Sequence, residues 1–163
     1  MGKKQTKDFN NNDFLDYSKE HIFYEVQMLL KVKDLILLDK PSGLAKLIAI
    51  ESFAIHLRNL ITFLYPTKNP RNTDVYAKDF FSDPRKWREV ISEGLEKARE
   101  RANKEVGHLT TGRIAGTPSE KEWKVRELTE EIVPVLKSFC VRADKSKLNI
   151  AISVPLSQND STS

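Results

Sequence analysis

The stretch LAKLIAIESFAIHLRNLITFLY at residues 44–65 decides the fold. Leu47, Ile48, Ile50, Phe53, Ala54, Leu57, Leu60, Ile61 and Leu64 leave it only a narrow polar side. A helix so apolar around its circumference is expected to be buried on most sides, at the centre of a bundle. Its limits are marked by residues that break helices. Pro41 and Gly43 lie before it, and Pro66 follows, because the residue preceding a proline avoids the α region.

Working outward, the first helix is expected from Asp13 to Leu38, where Ile22, Val26, Leu29, Val32 and Ile36 recur at steps of three and four. Residues 66–82 connect onward, and Val75, Tyr76, Phe80 and Phe81 predict an ordered loop or short helix. A third helix is predicted to open at Asp83-Pro84 and to end between His108 and Gly112. Its stripe is Trp87, Ile91, Leu95, Ala98, Ala102, Val106 and Leu109. The fourth is expected to open on a capping box of Thr117, Pro118 and Glu120, and Pro134 is expected to kink it. From Leu148 to Leu156 the apolar residues alternate with period two, which predicts an extended strand. That strand would lie against the bundle or pair with a second chain. The expected fold is therefore all-α, a four-to-five-helix up-and-down bundle with an extended C-terminal tail. Residues 1–12 form a disordered basic leader, 13–144 the bundle, and 145–163 an extended or disordered tail.

Composition limits the function. The 163 residues suit one domain, and 39% apolar content supports a core. The single cysteine, Cys140, follows Phe139 in an apolar run and reads as a small buried hydrophobe rather than a nucleophile. One cysteine cannot form an internal disulfide, which fits a reducing compartment, and the expected location is cytoplasmic. No apolar run is expected to reach the roughly 18 residues of a membrane span, so no membrane association is expected. A net charge of +4 permits an acidic partner such as RNA without demanding one.

There is no glycine-rich phosphate loop, no His-Glu-x-x-His and no Gly-x-Ser-x-Gly. With only three histidines, most metal and acid–base schemes lack parts, and no cofactor or metal is implied. One constellation has suitable chemistry. Arg101, Glu105 and His108 are spaced i, i+4, i+7 on one helical face. Arginine grips a phosphate in bidentate fashion, and histidine moves protons near neutral pH. The competing reading is an Arg101–Glu105 surface ion pair, with His108 serving the helix C-terminus. In the second helix, Arg58 and Asn59 stand in an oily run. Either Arg58 meets Glu51 or another helix's charge, or both side chains project into a polar pocket near the third helix.

His56-Leu57-Arg58-Asn59-Leu60, Asp74-Val75 ahead of Phe80, and the run from Arg101 through Asn103, Lys104, Glu105 and His108 to Thr110 resemble a group of uncharacterised bacterial helical proteins. That group is similar to the HEPN superfamily (higher eukaryotes and prokaryotes nucleotide-binding). The resemblance implies a helical bundle, often a homodimer, that binds RNA or nucleotides, with metal-independent endoribonuclease activity in many members. Arg101 and His108 match its Arg–His hallmark and are the catalytic candidates. Ala102 stands where the family usually places Asn, Asp or His. Arg58, Asn59, Lys104 and Glu105 are the candidate binding residues. A rival reading is a non-catalytic interaction protein that uses the apolar tail or a helix face. Another is a small-molecule-binding bundle with residues 66–82 as its lid.

Overall fold

A computed structural model describes residues 5–67, 69–106 and 122–158, and these are helical with no strand among them. The chain begins its first long rod at α1 (Asn11–Tyr17). A wide π turn (Ser18–Ile22) joins α1 to α2 (Phe23–Asp34), and a second π turn spans Leu35–Asp39. After a corner come α3 (Gly43–Leu64), α4 (Glu93–Glu105), α5 (Val125–Arg142) and a short α6 (Ser153–Gln158). The expected all-helical bundle is thus present.

The long rod starts earlier than expected. Asn10 caps α1 by accepting from the Asp13 N–H, and Asp13 returns the bond to the Asn10 N–H at 2.8 Å. Residues 5–12 are not a loose leader. Thr6 donates its hydroxyl to the Asp74 carbonyl at 2.8 Å and ties this segment to the distant loop. At the corner, Lys40 takes a left-handed φ of 47° and Gly43 one of 55°, the second of which glycine adopts without a Cβ penalty.

The core lies where α2, α4 and α5 pack around the second half of α3. Phe53, Leu57, Leu60, Ile61 and Leu64 are fully enclosed there, together with Leu29, Leu95, Ile132 and Leu136. Phe139 is the aromatic hub: Phe63, Phe80 and Trp87 meet it edge-on, with ring centroids 5.1 to 5.7 Å away. The last carbonyls of α3 have no helical partners, and two side chains supply them. Trp87 Nε1 donates to the Leu64 carbonyl, and Arg99 Nη1 donates to the Tyr65 carbonyl, both at 2.8 Å.

Three expectations are corrected. The third helix does not open at Asp83: that residue caps only a 3-10 turn (Pro84–Lys86), and Ser92 caps α4 by accepting from the Leu95 N–H. Val90, 89% exposed, lies in the irregular stretch between them. The expected capping box at Thr117 lies outside the described residues, but residues 122–124 are not helical, so α5 starts at Val125, with Pro134 inside it. The tail is not extended. Leu148, Ile152 and Leu156, four residues apart, are buried against the bundle by a 3-10 turn and α6, while Ile150 and Val154 face solvent. A four-residue step satisfies both the helical period and the period of two, and packing selected the helix. The Asn149 N–H donates to Ser18 Oγ at 3.0 Å, fixing the tail to the π turn. The buried tail offers no strand for pairing with a partner, so of the two surfaces the interaction reading named, the tail and a helix face, only the helix face remains.

Candidate functional site

Arg58, Asn59 and Thr62 share one side of α3 and open into a cleft of about 610 Å³. Tyr17, His21 and Glu25 form the facing wall. Their steps of four residues cross the π turn at Ser18–Ile22, a widening that often accompanies functional positions. Asp74 and Tyr76 close the cleft from the loop, and Asn103 closes it from α4. The volume suits a small organic ligand or a mononucleotide.

A hydrogen-bonded relay orders this cleft. His56 Nδ1 lies 2.8 Å from Glu25 Oε2; the carboxylate only accepts, so the imidazole nitrogen carries the proton. Asn59 Nδ2 donates to Glu25 Oε1 at 3.1 Å, and Arg58 Nη2 donates to Asn59 Oδ1 at 3.1 Å. His56 and Glu25 are thereby paired, and Asn59 passes their orientation on to the guanidinium. Arg58 makes no ion pair with Glu51, which stays exposed; two helical turns separate the two residues by about 10 Å of rise. Among the described residues, Arg58 Nε and Nη1 have no hydrogen-bond partner and Nη2 commits one of its two hydrogens to Asn59, so one of the two bidentate edges that share Nη2 stays open for an oxyanion.

The acceptors opposite Arg58 are also positioned. Asp74 Oδ2 accepts from the Tyr76 hydroxyl at 3.0 Å and from the Arg71 N–H at 3.1 Å. Burial holds the Tyr76 phenol above its ordinary pKa, and the bond to Asp74 adds to this. Burial raises Tyr17 as well, with Glu25 and Asp74 contributing. Both phenols therefore stay neutral donors at physiological pH. The Tyr17 and His21 rings lie 4.9 Å apart at 54°, giving the cleft an aromatic wall.

Arg101 lies outside this cleft. Its guanidinium sits 4.5 Å over the Trp123 ring, pairs with Glu105 at 2.8 Å and donates to the Glu122 carbonyl at 3.0 Å. The Arg101–Glu105 ion pair of the competing reading is therefore formed. Lys104 reaches Glu100 at 3.7 Å across an exposed face. His108, the other catalytic candidate, lies outside the described residues. Of the sequence candidates, Arg58 and Asn59 meet in one site, whereas Arg101, Lys104 and Glu105 do not line it. Tyr17, His21, Glu25 and Tyr76 were not foreseen as site residues; the four-residue repeat of Tyr17, His21 and Glu25 was the signal available. Cys140 is buried, and desolvation pushes its thiol up to about 11, as befits a core residue.

No family model matches the chain, and no curated protein or solved structure matches it either.

Proposed function

We propose that this chain binds a nucleotide, free or at the end of an RNA strand, in the cleft between α2 and α3. The observation that carries the reading is Arg58: it is aligned through Asn59 on the Glu25–His56 pair, and one edge of its guanidinium is uncommitted. A phosphate takes that edge. Ribose hydroxyls or base amino groups donate to Asp74 and Glu25, and the base packs against Tyr17 and His21. Glu25 and Asp74 outweigh Arg58 in formal charge, which suits a ligand with many donors and one anionic group better than a long polyanion.

The HEPN-like resemblance supports the same class of ligand. Its cleavage form assigns phosphate stabilisation to Arg101, proton transfer to His108, and a homodimer as the acting unit. Arg101's engagement with Trp123 and Glu122 favours binding over cleavage. Calorimetric titration with AMP and GMP tests the binding reading. Arg58→Ala is expected to weaken the affinity on the order of tenfold or more, and unchanged affinity would overturn it. RNA cleavage lost in His108→Ala would restore the nuclease form.

A further inference from the structure

At the opposite end of α3 the surface changes character. A groove of about 1010 Å³ runs between the α2–α3 corner and the start of α5. Ile36, Leu47, Ile50, Trp123 and Val125 supply its apolar surface. Leu38, Leu44 and Ile48 stand exposed on the same corner, with Leu44 72% and Leu47 63% open to solvent. Apolar groups gathered this way on a small chain mark a contact surface. Lys40, Lys46, Lys124 and Arg126 line the groove against only Glu122 and Glu127. None of those four cations makes an ion pair among the described residues.

We infer that this groove receives an amphipathic helix from a partner protein, with leucine-like anchors on one face and acidic residues flanking them. The basic rim selects the acidic flanks, because complementary charge steers encounter and rejects like-charged partners. The helical form follows from the walls. The described residues include no strand and hence no sheet edge to extend, so an apolar groove between helices takes a helix laid along it. A second copy of this chain would set one basic rim against another in a two-fold pairing. A flat bilayer would meet the exposed Leu44, Leu47 and Ile48 but not the recessed groove wall of Ile36, Ile50, Trp123 and Val125, which an inserted helix reaches.

The test uses a fluorescein-labelled acidic model helix, leucines on one face and glutamates on the other, titrated by anisotropy. Its scrambled and lysine-substituted versions are the comparison probes. The acidic helix is expected to bind at least on the order of tenfold tighter than either comparison peptide. Leu47→Glu should abolish binding, and the double variant Lys46→Glu, Lys124→Glu should weaken it on the order of tenfold. These side chains are exposed, and circular dichroism confirms that the variants keep their helix content. Equal binding of the scrambled peptide, or full binding by Leu47→Glu, overturns the inference. So does self-association of the free protein that Leu47→Glu abolishes, or binding to phosphatidylglycerol vesicles that the peptide does not compete away.

Discussion

The two halves of α3 have similar apolar composition but different surroundings. From Phe53 to Leu64 the helix is enclosed by α2, α4 and the aromatic cluster around Phe139, and its few polar residues are held in a relay. From Gly43 to Ser52 it exposes Leu44, Leu47 and Ile48. By length and composition α3 would reach across a bilayer, yet half of it is buried inside the bundle. Hydrophobicity along a chain states how much apolar surface exists. It does not state what covers that surface. Here one half meets the protein's own core, and the other half is left facing outward.

Substitutions that treat the two halves alike separate them. Leu57→Ala, in the enclosed half, is expected to cost about 2–5 kcal/mol of stability by urea denaturation, because the surrounding core cannot close the cavity. Leu44→Ala, in the exposed half, should stay within about 0.5 kcal/mol. Equal losses would mean that the corner is covered after all. Next in size is His56→Leu, which strips one donor from Glu25 in the half-buried relay. It should cost about 1–3 kcal/mol and weaken nucleotide affinity, since Asn59 and Arg58 lose their alignment; normal affinity would disconnect the relay from the site. Arg101→Ala removes a cation from the Trp123 face and should cost roughly 1–2 kcal/mol without changing nucleotide affinity. A loss of affinity instead would move the site toward α4 and Trp123.

The last effect is a pH dependence. Cys140 ionises at about 11 in the fold against 9.0 as an ordinary thiol, and burial is the main cause. A folded value above the unfolded one means that the unfolded chain loses this proton first. The stability associated with the neutral buried thiol is complete below pH 9 and declines as the pH rises through this window toward 11. Cys140→Ala should flatten that decline in urea midpoints measured across the window. An unchanged slope would assign it to the phenols of Tyr17, Tyr65 and Tyr76, which burial shifts the same way.

The enclosed half of the molecule was also the more legible. The bounds of α3 read from sequence, 44–65, differ by one residue from Gly43–Leu64, because Gly43 and Pro66 act locally. The start of α4 was misread because Trp87 and Ile91 continue the stripe of Leu95 at helical spacing. Trp87 is buried by its indole bond to the Leu64 carbonyl, a tertiary contact that periodicity cannot report. Arg58 and Asn59 were visible as polar residues that an oily helix has to accommodate. Glu25 was not, since one carboxylate on an amphipathic helix looks like any solvated acid until its partner on another helix is known. The sequence made Arg101 the phosphate candidate and Arg58 only a candidate binding residue; the fold reverses that weighting by turning Arg101 onto Trp123.

Mapping backbone amide shifts during an AMP titration tests the nucleotide cleft most directly. The expected result is saturable shifts centred on Tyr17, His21, Arg58, Asn59, Tyr76 and Asn103, with little change around Arg101 and Trp123. Shifts centred on Arg101, Lys104 and Glu105, or none at millimolar AMP, would contradict it.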